Sequence, residues 1–384
     1  MRLVARTLET IDPPVGVSEV LRAETQRNDM LDVAQGAPAY PTAPTIVHRI
    51  REMVGDADAA RYTDVRGIPE LREALARDLS TDYQSEISAD HVLITAGANQ
   101  AFCLVASALA ESGDEVIISV PYYFNHDMWV RLEGLRPVYV DTSPSTGQAG
   151  IADIAESVTS RSRMIVVTSP GNPTGVTASA DVMDELADLA KSRDLVLVLD
   201  ETYRTFRADR DAPAHRLFRR PDWPEFVVSL HSFSKDFAIP GHRVGAVVGS
   251  PRLLDEAAKL MDCVAICAPR IGQEAALEGL RSAKSWREEK ATEAAAKHER
   301  LRMVMEASPG GFDLRLSGGF YGWIQHPDSS SGSDDIVRRL ALRCGVLAVP
   351  GRVFSPGDAN LVRISFANLE LDQIDALRRR LEKF

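Results

Sequence analysis

The sequence is poor in three things: long apolar runs, cysteine and positive charge. No stretch approaches the roughly 18–20 apolar residues that a membrane-spanning helix needs, and the first residues lack the apolar segment of a secretion signal. A formal net charge of −11 argues against non-specific nucleic-acid binding, because a polyanion would be repelled. The sequence therefore favours a soluble globular protein, and we expect it in the cytoplasm.

The four cysteines indicate neither a disulfide framework nor a metal site. Cys263 and Cys267 stand one helical turn apart, but no second cysteine or histidine pair accompanies them, so no metal is predicted. Free cysteines are usually buried in folded proteins, and we expect buried, reduced thiols here.

The central part of the chain alternates short apolar runs with amphipathic segments. Several runs are β-branched throughout, which is typical of parallel strands covered on both faces, and helical patterns lie between most of them. This alternation predicts an α/β fold with a mostly parallel, doubly wound sheet flanked by helices. The predicted strands are 91–95, 115–119, 137–140, 164–168, 195–199, 226–229 and 245–249.

A chain of 384 residues exceeds one ordinary core, and the pattern changes after about residue 275. A long charged helix is predicted at 285–307, with strands near Val346 and at 363–366 and a helix at 372–384. We predict a proline-rich arm at 1–45 that packs with the small domain and has a short helix capped by Ser18. A large domain at 46–275 and a smaller α+β domain at 276–384 follow.

Ligands of doubly wound sheets bind beyond the carboxyl ends of the strands, so the residues that follow each strand are candidates. Gly97 begins a small-residue turn before a predicted helix, where free N–H groups and the helix dipole suit a phosphate, although glycine turns open many helices. Tyr123 follows the next strand and could stack on a flat ring or pack in the core. Asn172 lies between two prolines in the stretch 169–175, which would hold its amide rigidly.

Asp200 ends a predicted buried strand. A carboxylate there is costly unless it meets a cation such as a protonated pyridine nitrogen; a helix N-cap is the alternative. Lys235 comes after the following strand. The hydroxyl residues Ser232 and Ser234 precede it, and Arg243 follows it in the sequence. Hydroxyls and an arginine suit a phosphate, whereas a lysine suits an aldehyde. Pyridoxal 5'-phosphate carries both groups, so the sequence predicts a complete site for it.

With these residues assembled, the chain from Gly36 to Phe366 resembles the fold-type-I pyridoxal phosphate enzymes, specifically the class I and II aminotransferases. The resemblance implies a large coenzyme-binding domain and an enzyme that moves an amino group between an L-amino acid and a 2-oxo acid. Lys235 would hold the coenzyme as a Schiff base, and Asp200, backed by His126, would pair with the ring nitrogen. The resemblance further implies ring contacts from Tyr123, Asn172 and Tyr203, and phosphate contacts from Ala98, Asn99, Ser232, Ser234 and Arg243.

The resemblance also assigns the substrate. Arg363 would grip the α-carboxylate, for which its planar guanidinium is fitted, with help from the Gly36 backbone and Asn172. Tyr62 matches the tyrosine that reaches the phosphate of the neighbouring subunit, which implies a homodimer with shared active sites. A rough register places Asp262 where dicarboxylate-specific members have an arginine, so a neutral or cationic substrate is expected.

Two alternatives stay open. Asp127, Asp236 and the stretches 239–245 and 366–368 are similar to the aminocyclopropane-carboxylate synthase branch, which acts at the γ-carbon of S-adenosylmethionine, although Ala37 replaces that branch's glutamate. The fold also serves as the ligand-sensing half of certain transcription regulators. That interpretation is disfavoured because the segment before Gly36 is too short for a DNA-binding domain and the net charge is negative.

Overall fold

The computed structural model describes Leu8, Ile11 and residues 21–22, 24–25, 27–357 and 360–384, so the predicted cap at Ser18 lies outside the described residues. The described strands are β1 (Leu31–Asp32), β2 (Val92–Thr95), β3 (Glu115–Val120), β4 (Arg136–Asp141), β5 (Ser162–Thr168), β6 (Val196–Asp200), β7 (Val227–Ser232), β8 (Gly245–Val248), β9 (Asp313–Gly318), β10 (Tyr321–Gln325), β11 (Val346–Leu347), β12 (Val349–Pro350) and β13 (Leu361–Ser365).

The helices connect these strands and supply much of the covering layers. The described α-helices are α1 (Pro44–Val54), α2 (Pro69–Tyr83), α3 (Ala98–Leu109), α4 (Phe124–Leu132), α5 (Ile151–Ser157), α6 (Ala180–Ser192), α7 (Phe233–Asp236), α8 (Pro251–Val264), α9 (Arg270–Ser282), α10 (Lys284–Met305), α11 (Ser333–Arg339) and α12 (Leu371–Leu381).

A seven-stranded sheet in the order β2-β8-β7-β6-β5-β3-β4 dominates the fold. Every neighbouring pair is parallel except the two pairs that involve β8. All residues of β2 and β7 are buried, as expected of strands covered on both faces. The mostly parallel α/β fold is confirmed, and each predicted strand is present with its bounds shifted by at most three residues.

A second sheet, in the order β12-β13-β10-β9, is antiparallel, and β1 pairs with β11 to tie the N-terminal segment to this part of the chain. One large buried hydrophobic cluster spans residues 43–283, and another joins residues 21–34 to residues 301–381. The division of the chain at residues 45 and 275 stays a prediction.

The expectation of buried cysteines is wrong for three of the four. Cys344 is buried, Cys103 and Cys267 are partly exposed, and Cys263 is exposed. The buried face of α8 consists of Leu254, Ala257 and Met261, and Cys263 falls outside that helical periodicity. Within the described ranges, no helix is long and apolar enough to cross a membrane.

Candidate active site

The carboxyl ends of the parallel strands open onto a cavity of about 600 Å³. It is closed on the other side by the segment after β1 and by residues of β10, β12 and β13. Parallel strands place their carboxyl ends at one edge, which is why residues far apart in sequence meet here. The cavity wall contains these predicted site residues: Gly36, Ala98, Asn99, Tyr123, Asn172, Asp200, Tyr203, Ser232, Ser234, Lys235, Arg243 and Arg363.

Asp200 is the last residue of β6 and is buried at the base of the cavity. His126 Nε2 lies 3.2 Å from Asp200 Oδ2, and the Thr202 backbone N–H donates to Oδ1 at 3.0 Å. Burial raises the pKa of Asp200, but the hydrogen bond and charge of His126, together with the Thr202 N–H, outweigh it and leave the pKa below its usual value. The carboxylate therefore stays ionised although it is buried.

Lys235 lies in the short helix α7, directly after β7. Ser232 caps this helix by accepting a hydrogen bond from the Ser234 backbone N–H at 3.3 Å. Burial, together with the charges of Arg363 and Arg243, lowers the pKa of the Lys235 ammonium from 10.5 to about 8. A lysine with that pKa presents free amine to the cavity far more readily than a surface lysine.

The N-terminus of α3 and Arg243 form a positive corner of the cavity. Gly97, the N-cap residue, has φ +89°, and a Cβ there would lie 2.4 Å from Arg243 Nη2. Arg243 itself donates to the carbonyls of Pro240 at 2.9 Å and Ala96 at 3.3 Å, which fix its guanidinium over the helix end. Helix N–H groups beside an arginine suit a phosphate.

Arg363, on β13, is buried in the cavity wall. Its Nη1 donates to Asn172 Oδ1 at 3.0 Å, and its Nη2 donates to the Ala34 carbonyl. The guanidinium carbon lies 4.7 Å from the centroid of the Tyr321 ring. Among the described residues Nε has no hydrogen-bond partner although it is buried, so its N–H remains for a ligand.

Tyr321 also lines the cavity, although it is not among the predicted site residues. Its hydroxyl is hydrogen-bonded to that of Tyr203, and burial raises the pKa of both phenols. A Cβ on Gly36 would lie 2.0 Å from the Tyr321 oxygen, so only glycine fits beside it. No periodicity in the sequence distinguishes this tyrosine from a core aromatic.

Tyr123 lies beside the positive corner, where its hydroxyl donates to Asn99 Oδ1 at 3.2 Å and accepts from Asn125 Nδ2 at 3.0 Å. Two of the predicted site residues, Tyr62 and Asp262, do not line this cavity within the single chain. Tyr62 has a relative exposure of 73%, and Asp262 is exposed near the end of α8. Neither lines the cavity wall.

Comparison with known proteins gives consistent results. Residues 28–381 match the model of a family described as aminotransferase class I and II. The chain is 29% identical over 388 residues to aromatic aminotransferase ISS1 of Arabidopsis thaliana, covering 99% of this chain and 95% of that protein. It is 29% identical over 394 residues to an aspartate/prephenate aminotransferase of Thermus thermophilus, covering 100% and 98%. A solved aspartate aminotransferase from Thermus thermophilus with maleate is 27% identical, with a TM-score of 0.89 and coverage of 100% and 99%.

Proposed function

The chain belongs to the class I and II aminotransferases, and we propose that the cavity described above is where it binds pyridoxal 5'-phosphate and its substrates. It is a pyridoxal phosphate-dependent transferase that moves an amino group between an L-amino acid and a 2-oxo acid. The observation that carries the site assignment is that buried Asp200, held by His126, lines the same cavity as Lys235.

The residues fit the coenzyme at each of its polar groups. Asp200 would hold the protonated ring nitrogen, Lys235 would hold the aldehyde covalently, and Arg243 with the N-terminus of α3 would hold the phosphate. The remaining proposed contacts come from Ala98, Asn99, Tyr123, Asn172, Tyr203, Ser232 and Ser234. When bound, the coenzyme supplies an electron sink for the negative charge that develops at the substrate Cα.

Lys235 then acts as the acid–base group. The Lys235 amine would take the proton from the substrate Cα, and the resulting ammonium would give that proton up again to the coenzyme. Such proton transfer contributes about 10²–10⁴-fold to a rate, and it is most effective when the pKa lies near the working pH. The pKa of about 8 meets that condition.

Arg363 orients the substrate for this transfer. Its unpaired Nε and its guanidinium plane suit the α-carboxylate, and Asn172 and the Ala34 carbonyl hold the other two nitrogens in place. The Gly36 backbone N–H would add a second contact. With the carboxylate held by Arg363, the Cα hydrogen of the substrate would be presented to Lys235, which is a positioning effect.

The proposal includes a homodimer with shared active sites. Tyr62 is exposed in the single chain, and the Thr63 backbone N–H, 3.4 Å from Cys267 Sγ, holds its segment beside the loop that follows Asp262. Both side chains therefore lie on one part of the surface. We propose that this part faces the partner subunit, with Tyr62 reaching the phosphate and Asp262 disfavouring acidic substrates. The relatives themselves are named for aspartate, prephenate and aromatic substrates, so their names do not indicate which amino acid this chain uses.

No observation favours γ-carbon chemistry. Asp127, which suggested that branch, is buried and bonded to Arg131 and Tyr139, and Asp236 does not line the cavity. The absorbance of the purified protein tests the assignment, because coenzyme held by Lys235 absorbs visible light. A Lys235→Ala variant that kept the band would show that the site is wrong. If S-adenosylmethionine alone changed the band, with release of methylthioadenosine, transamination itself would be excluded.

A further inference from the structure

An ion pair between Arg22 and Asp32 forms part of the cavity wall. Arg22 Nη2 contacts Asp32 Oδ2, and the two side chains have relative exposures of 48% and 22%. None of the roles proposed above uses either residue. A half-exposed ion pair of this kind contributes little to the stability of the fold. Its position in the cavity wall suggests a role in ligand binding instead.

The pair lies at the end of the cavity that receives the substrate carboxylate. Asp32 Oδ1 accepts hydrogen bonds from the backbone N–H groups of Ala34 at 2.9 Å and Gln35 at 3.3 Å. The carbonyl of Ala34 in turn accepts from Arg363. One carboxylate therefore shapes the turn that supports Arg363 and, through its other oxygen, holds Arg22.

Among its described residues, this chain contributes no unpaired cation to the cavity that could bind a second carboxylate. The charged side chains in its described wall are Arg22, Asp32, Asp200, Lys235, Arg243 and Arg363. Lys235, Asp200 and Arg243 serve the coenzyme, whereas Arg363 serves the α-carboxylate. Arg22 is neutralised by Asp32, and Ala37, Phe124 and Val349 add apolar surface to the cavity wall.

Building on the proposed function, we propose that Asp32 is a specificity-determining residue that directs the site to amino acids with neutral side chains. By holding Arg22 in an ion pair, it occupies the one arginine among the described wall residues that has no role in binding the coenzyme or the α-carboxylate. Removal of the Asp32 charge makes Arg22 such a group, because a free guanidinium at this position pairs with carboxylates through a planar fork.

Asp32→Asn provides the sharpest test. Asparagine keeps the Oδ1 acceptor for the Ala34 and Gln35 N–H groups but loses the charge that holds Arg22. Butyrate and succinate have the same carbon number and differ by one carboxylate, and their binding to the coenzyme-loaded protein can be measured by isothermal titration calorimetry. We expect the wild type to bind succinate no more tightly than butyrate. We expect Asp32→Asn to bind succinate about tenfold more tightly than the wild type does, with butyrate unchanged.

The double variant Asp32→Asn/Arg22→Ala should lose this gain, and Asp32→Ala, which also removes the turn acceptor, should weaken both ligands. A wild type that prefers succinate, unchanged succinate binding in Asp32→Asn, or a gain that persists without Arg22 would each overturn the proposal. A failure of the proposed function would look different: no amino acid would convert the bound coenzyme, whatever the two carboxylates do.

Discussion

The imidazole of His126 and the carboxylate of Asp200 meet at 3.2 Å between Nε2 and Oδ2, and both side chains are buried. Phe102 packs against the imidazole, with ring centroids 4.1 Å apart, and Tyr123 meets it edge-on at 5.2 Å. The imidazole is thereby held on the side of Asp200 away from bulk water. The contact with His126 holds the Asp200 carboxylate at the base of the cavity, where a protonated ring nitrogen would offset its burial cost.

Asp200→Asn should slow the half-reaction with an amino acid by about 10²–10³-fold, because the charge that stabilises the ring nitrogen is lost. Single-turnover absorbance measurements report this rate directly. Asp188→Asn is the matched control, since the Asp188 side chain is exposed and pairs with Arg220. Equal rates in the two variants would contradict the role assigned to Asp200.

Gly97→Ala should weaken coenzyme binding by about tenfold or more, because the new Cβ would displace Arg243 from the positive corner of the cavity. Gly113→Ala separates this contact from backbone strain. Gly113 has φ +96°, but a Cβ there meets no atom within 4 Å. Both variants should lose about 1–2 kcal/mol of stability, whereas only Gly97→Ala should raise the coenzyme dissociation constant. Similar constants in both would contradict the prediction.

Arg363→Lys should raise the KM for amino acids by about tenfold to a hundredfold. An ammonium cannot replace the planar fork or keep the contacts with Asn172 and the Ala34 carbonyl. Steady-state kinetics with several amino acids measure the change, which should appear for every substrate because each has an α-carboxylate. Arg216→Lys, at a half-exposed surface arginine paired with Asp181 and Asp184, serves as the control.

Lys235→Met should stabilise the coenzyme-free protein at pH 7 and lose that advantage as the pH rises. The pKa of Lys235 is lowered from 10.5 to about 8, so between these values the unfolded chain binds more protons and wild-type stability increases with pH. Below about pH 8 the cost of the buried ammonium is present in full, at most roughly 3 kcal/mol. Denaturant unfolding of both proteins from pH 7 to 10.5 tests this: parallel curves would mean that the pKa is not lowered.

Mixing two inactive variants tests the shared active site. If Tyr62 reaches the partner's phosphate, a dimer of one Lys235→Ala chain and one Tyr62→Ala chain has one site with both defects and one site with neither. Activity should therefore reappear when the two variants are unfolded and refolded together. A mixture no more active than its separate components would show that Tyr62 serves its own chain or no site.

The seven central strands were predictable because each is a short apolar run bounded by polar residues, and burial on both faces leaves that pattern in the sequence. The proposed coenzyme residues could be selected from the sequence for a related reason, since Asp200 ends one such strand and Lys235 lies in the short helix that follows another. The exposure of Cys263 was not predictable, because it depends on which face of α8 packs on the sheet.

The sequence by itself determined the strand order along the chain, the residues at the strand ends and, through them, the coenzyme chemistry. The tertiary structure alone decided which distant side chains meet at the substrate end. Arg363 bonds to Asn172 and Ala34 across 191 and 329 positions, and Tyr203 meets Tyr321 across 118. Local patterns record how each segment buries its own apolar face. They do not indicate which polar groups become neighbours when the two hydrophobic clusters pack on either side of one cavity. Those contacts shape the proposed substrate end of the site.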